Sequence, residues 1–109
     1  MRCLNEIFNQ RDVSKRRAAI EELCSPTLVF ADPEGESRGI AAFEQKVAVL
    51  LSKGAPTFEF RSVEPAQEAQ NMGLHRWELG PAGEPPVASG TDVILVEGGL
   101  IVTFYTVVD

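Results

Sequence analysis

Cysteine, basic residues and long apolar runs are all scarce in this chain. Two cysteines, Cys3 and Cys24, stand among 109 residues. Neither belongs to a CxxC pair, and neither has metal-ligand spacing with His75, which excludes a small disulfide scaffold and a zinc site. Both read as reduced thiols, with Cys24 packed in the core of a helix. Lys and Arg total 10 against 16 Asp and Glu, a net charge of -6. That balance excludes nucleic acid as a partner, because phosphate binding needs clustered cations. The one basic cluster, Lys15-Arg16-Arg17, lies beside Glu21 and Glu22 and reads as a solvated helix face. No apolar run approaches the ~20 residues that span a bilayer. The start, "MRCLNEIFNQRD", has no long apolar stretch of the kind that opens a secretory signal. The expectation is a cytoplasmic chain with no membrane partner. There is also no glycine-rich loop opening a helix and no serine-nucleophile motif. The acids of "DPEGE" do not have the spacing of a calcium loop. No cofactor and no metal are therefore expected.

What is present suits a single domain over residues 1–109. The composition, 44% hydrophobic and 24% charged, is that of an ordinary globular protein. Leu4, Ile7 and Phe8 fall at i, i+3 and i+4 and predict a short helical stretch. A second helix is predicted from an N-cap at Ser14 to Cys24, with Ala19, Ile20, Leu23 and Cys24 as its apolar stripe and Pro26 ending it. The strand "TLVFA" follows, then a turn cluster, "DPEGESRG". The clearest helix runs from Ile40 to Lys53, with Ile40, Phe43, Val47, Leu50 and Leu51 on one face. Gly54 is its stop signal, and Pro56 lies just beyond.

From Thr57 the period changes to two. "TFEFRSV", "MGLHRWEL", "VASGTDVILV" and "LIVTFYTVV" predict four strands, the last two joined by "EGG" as a hairpin. Helices followed by consecutive strands with short connections predict an α+β fold, an antiparallel sheet with the helices on one side. The last two strands are apolar on both faces: Val93, Leu95, Ile101 and Tyr105 alternate with Ile94, Val96, Phe104 and Val108. Helices cover one face. A second copy of the chain is the simplest cover for the outer one, so a homodimer is expected.

The stretches "EELCSPTLVFADPEGESRGIAAFEQ", "HRWELG" and "SGTDVILVEGGLIVTFYTVVD" together resemble the nuclear transport factor 2-like superfamily, and within it the SnoaL-like proteins. The resemblance covers nearly the whole chain. It implies a cone-shaped, curved antiparallel sheet with helices packed on one face, a cystatin-like roll. It also implies a range of activities that includes ketosteroid isomerases and polyketide cyclases. It places Asp32 where the isomerases carry their general base, and Asp92 near their oxyanion-binding aspartate. Their oxyanion tyrosine maps onto Phe8, which has no hydroxyl to donate; that departure argues against steroid isomerisation.

If Asp92 points into the cone, the period of two turns Gly90, Ile94 and Val96 inward with it. Val102, Phe104, Thr106 and Val108 face them from the last strand, and His75, Trp77 and Leu79 from the third. With Phe30 and Asp32 these predict an apolar cavity for a small hydrophobic molecule. The expected ligand-binding residues are Phe8, Phe30, Trp77, Ile94, Phe104 and Thr106. The resemblance to the isomerases implies the expected catalytic residues: Asp32 as base, Asp92 as hydrogen-bond donor and His75 as a donor in place of the missing tyrosine. The chemistry rests on desolvation. Burial disfavours the charged form of a carboxylate, which suits it to take a proton from carbon beside a carbonyl, while a second, neutral acid donates to the enolate. Plainer readings stand beside these. Asp32-Pro33 is also a turn signal, Asp92 a structural acid, and His75 and Trp77 packing residues. Three function classes fit: an acid–base isomerase or cyclase, a non-catalytic binder of a small hydrophobic ligand, and a dimeric interaction module. The resemblance also takes in an epoxide-opening hydrolase, which needs an Asp-Arg-Asp set in the cavity; Arg76 has outward parity, which ranks that activity low.

Overall fold

The computed structural model of the chain describes residues 4–53, 57–63 and 65–109. Cys3, the stop signal Gly54 and Pro56 lie outside the described residues. A helical turn, Leu4–Phe8, leads into α1 (Val13–Leu23), β1 (Cys24–Asp32), β2 (Gly35–Arg38) and α2 (Ile40–Lys53). Then come β3 (Phe58–Ser62), β4 (Gln67–Ala69), β5 (Met72–Pro81), β6 (Ala88–Glu97) and β7 (Leu100–Val108). One sheet runs in the order β2-β1-β7-β6-β5-β3, with β4 beside β5. The α+β arrangement is as expected, but the sheet is mixed: β1 lies parallel to β7, and the other pairings are antiparallel. Strand periodicity carries no information on the direction of a pair so distant in sequence.

Local chemistry explains the other departures. The α1 N-cap is Asp12, whose carboxylate accepts from the Lys15 N–H at 2.9 Å; Ser14 lies inside the helix. The helix ends at Leu23, and Cys24 is extended and opens β1. Cys24 is therefore a buried strand residue, and burial pushes its thiol up to about 12, which leaves it protonated and inert. The "DPEGESRG" cluster is a tight turn only as far as Gly35, after which β2 pairs back onto residues 29–32 of β1.

Arg16 overturns the solvated-face reading of the basic cluster. It is 3% exposed. Its Nε donates to the Glu44 carboxylate of α2 at 3.0 Å, and its Nη1 donates to the Gln10 carbonyl at 2.9 Å. Arg17 keeps the expected surface role, paired with Glu21 one turn on. A buried guanidinium is tolerated because its charge and its hydrogens are matched; here it ties α1 to α2.

The core lies between the helices and one face of the sheet. Ile7, Ile20, Leu28, Phe43, Val47 and Phe104 are each fully buried, and each contributes on the order of 2 kcal/mol by burial. Phe8, Phe30, Phe43 and Phe104 pack as a cluster, with ring centroids 5.0 Å apart for Phe30–Phe43 and 6.1 Å for Phe8–Phe43. The short N-terminal turn is pinned beyond its own length. The Asn9 amide donates to the Phe60 carbonyl and accepts from the Phe60 N–H, at 2.8 and 2.7 Å, so one side chain replaces a strand partner for β3. Arg11 donates to the Leu51 and Phe58 carbonyls.

One bulge corrects the inward face. Leu95 pairs with Thr103, but Val96 pairs with Ile101. The extra residue is Val102, so Ile101 joins the core and Val102 does not. A bulge of this kind resets parity and bends the sheet.

Candidate functional site

The strand registers lay the inward side chains out in cross-strand rows. Ile94, Phe104 and Phe30 form one row across β6, β7 and β1. His75, Asp92 and Thr106 form the next across β5, β6 and β7. Trp77, Gly90 and Val108 form a third. Ile94 and Phe104 of the first row are packed into the core. Phe30, Asp92, Thr106, Trp77 and Val108 border a cavity of about 330 Å³. Phe8, Phe30, Phe60 and Trp77 supply its aromatic walls, Leu50, Leu79, Ala88 and Val108 its aliphatic ones, and Asp32, Pro33, Glu34, Asp92 and Thr106 complete it.

Gly90 makes room for the largest of these walls. A Cβ there would overlap the Trp77 indole and the Val107 carbonyl oxygen. The indole therefore lies across β6 where a side chain would stand, and its edge meets the Phe60 ring at a centroid distance of 5.4 Å.

Asp92 is 4% exposed and still lines the cavity. Among the described residues its side chain has one polar neighbour, the His75 Nδ1, 3.5 Å from Oδ2. That is longer than a hydrogen bond, and His75 Nδ1 makes none. The other ring nitrogen, Nε2, is 3.0 Å from the Ser62 hydroxyl. Electrostatics selects the tautomer. A lone pair on Nδ1 would face the carboxylate, so the proton belongs on Nδ1, and Nε2 then accepts from Ser62.

Asp32 has the opposite character. Its Oδ1 accepts from the Glu34 and Gly35 N–H groups at 3.0 and 3.2 Å, closing the β1–β2 turn. Its Oδ2 is 3.0 Å from the Lys46 ammonium. Lys46 also bonds Glu34 at 3.0 Å. This hydrogen bond, reinforced by the charges of Lys46 and Lys53, lowers the Glu34 carboxyl below its ordinary range, while the bonds to Glu34 and Asp32 raise the Lys46 ammonium. One side chain of α2 thus clamps the turn that forms one wall of the cavity.

Of the residues singled out in the sequence, Asp32, Asp92, Phe8, Phe30, Trp77 and Thr106 come together around the cavity. Ile94 and Phe104 do not line it: Phe104 is fully buried among the other phenylalanines, and Ile94 packs against that cluster. His75 stands beside Asp92 on the neighbouring strand and is not part of the cavity lining. The sequence does not point to Pro33, Glu34, Leu50, Phe60 or Ala88 as lining residues; of these, Phe60 has a signal, the alternation of "TFEFRSV". Lys46 and Ser62 had none, since each meets its partner only through the fold.

A sequence profile described as the SnoaL-like domain matches residues 2–104. No curated protein matches the sequence. Among solved structures, a SnoaL-like family protein from Agrobacterium tumefaciens, proposed to be an isomerase, superposes with a TM-score of 0.88 at 21% identity, covering 97% of this chain and 90% of that one. A protein from Jannaschia, proposed to be a SnoaL-like polyketide cyclase, gives 0.80 at 16%, covering 99% and 81%. A nuclear transport factor 2-like protein of unknown function from Mesorhizobium loti gives 0.74 at 23%, covering 100% and 87%. At these identities the structural likeness establishes the fold, the nuclear transport factor 2-like α+β roll, and leaves activity to the site itself.

Proposed function

The chain belongs to the SnoaL-like family, and we propose that it binds a small, largely apolar molecule in the cavity, with Asp92 as the polar group that meets it. One observation carries this reading: an acid that is 4% exposed opens onto a cavity of about 330 Å³ with aromatic walls. A mostly apolar pocket with a few convergent polar groups is the ordinary form of a small-molecule site.

The same geometry favours a second reading, proton transfer at the bound molecule. The family includes isomerases and polyketide cyclases, and such chemistry needs a carboxylate free to take a proton. The Asp32 oxygens already hold the Glu34 and Gly35 N–H groups and Lys46. Among the described residues Asp92 has only His75 beside it. In this reading Asp92 is the base, the His75 Nδ1–H steadies it, and Asp32 shapes the cavity wall.

Trp77 is the one tryptophan in the sequence and lines the cavity, so its emission reports occupancy. Titration with a neutral, optically silent probe, 1-adamantanemethanol, should shift that emission saturably. An unchanged spectrum across a set of neutral apolar probes of this size would overturn the pocket reading.

A second copy of the chain as partner is also proposed. Leu74, Val93, Tyr105 and Ala31 form a continuous apolar row on the outer face through their registers. Tyr105 is 48% exposed within it, and Val107 beyond it is 58% exposed. An exposed apolar row suits an isologous dimer, in which one patch meets its own copy across a two-fold axis.

A further inference from the structure

We infer that the molecule taken by this cavity is an apolar amine, held through its ammonium group by Asp92. The inference rests on the pocket reading and adds the charge of the ligand.

The lining carries three acids, Asp32, Glu34 and Asp92, and among the described lining residues no Lys, Arg or His. The three acids are not equivalent. Lys46 neutralises Asp32 and Glu34 from the far side of the β1–β2 turn. Among the described residues Asp92 has no Lys or Arg partner. Its one polar neighbour is the His75 ring at 3.5 Å, and His75 Nδ1 is left without a hydrogen bond in a fully enclosed position. A carboxylate removed from water without a partner is costly. A ligand that brings a positive charge to Asp92 removes that cost on binding, which a neutral ligand does only in part and an anion makes worse.

The walls fit the same ligand. Phe8, Phe30, Phe60 and Trp77 surround the space in front of Asp92, and aromatic faces attract a cation through their quadrupoles while packing against its apolar body. Thr106 lies directly opposite Asp92 on β7 and offers a second acceptor for an ammonium hydrogen. An apolar acid finds no donor of matching charge among the described lining residues.

The test compares three probes with one body: 1-adamantanemethylamine, 1-adamantanemethanol and 1-adamantanecarboxylate, each titrated at neutral pH against the Trp77 indole N–H resonance. The amine should bind at least about tenfold more tightly than the alcohol, and the carboxylate should not bind. Asp92→Asn, checked for folding by its thermal transition, should bring the amine down to the affinity of the alcohol. Equal affinity of amine and alcohol in the natural protein, or binding of the carboxylate, would overturn the inference and leave the pocket reading intact. Amine preference that survives in a folded Asp92→Asn protein would also overturn it. Silence of all three probes would remove the pocket reading and the inference together.

Discussion

Gly90 stands directly opposite Trp77, and the indole occupies the space that a side chain at position 90 would need. The cavity's largest wall therefore depends on the absence of one methyl group. Gly90→Ala should displace the ring, lower stability by about 1–3 kcal/mol and move the Trp77 emission to longer wavelength. A denaturation midpoint and emission maximum both unchanged would show that the ring has another place to lie.

Arg16 and Arg17 are neighbours in sequence with opposite fates, 4% and 43% exposed in their side chains. Arg16→Ala strands Glu44 and the Gln10 carbonyl and should cost about 3 kcal/mol. Arg17→Ala should stay within about 0.5 kcal/mol of the natural protein. Urea denaturation of the two variants separates them; similar losses would mean that the buried ion pair does not hold the helices.

The clamp on the β1–β2 turn carries a pH signature. Glu34 is lowered in the folded protein, so its contribution is present above the unfolded value of about 4.3 and is lost as pH falls through the folded value. Lys46 is raised, so its contribution is present below its unfolded value of about 10.4 and is lost only at more alkaline pH. Glu34→Gln should therefore be less stable than the natural protein at neutral pH, with the difference closing in acid. A difference as large at pH 2 as at pH 7 would refute the clamp.

Tyr105 lies in the apolar row on the outer face of β7. Light scattering should give the mass of two chains, and Tyr105→Glu should give one, with its far-ultraviolet circular dichroism unchanged. A natural protein that remains a monomer at high concentration would remove the dimer.

Much of this architecture is legible in the sequence. The helix Ile40–Lys53 appears with the predicted bounds, because its apolar stripe is unbroken at helical spacing. β5, β6 and β7 are read from alternation, and alternation also fixes which residues share the face of Asp92. The reading fails where long-range pairing decides. β2 is polar and exposed along an edge, so nothing in its composition separates it from a turn. Val102 is misplaced because a bulge leaves no mark in an apolar run. The burial of Arg16 and the clamp from Lys46 each need a partner on another element, and charge alone reads as surface. At the site, position brought Asp32 and Asp92 to the cavity and missed Glu34. It did not tell that Asp32 is fully engaged by the turn and Lys46 while Asp92 is not.

That contrast between Asp32 and Asp92 is the centre of the account, and carboxyl carbon chemical shifts measure it directly. With 1-adamantanemethanol added to the labelled protein, the Asp92 side-chain carboxyl resonance should move saturably while that of Asp32 stays in place. Movement at Asp32 with Asp92 unchanged would contradict the account and return the ligand to the turn.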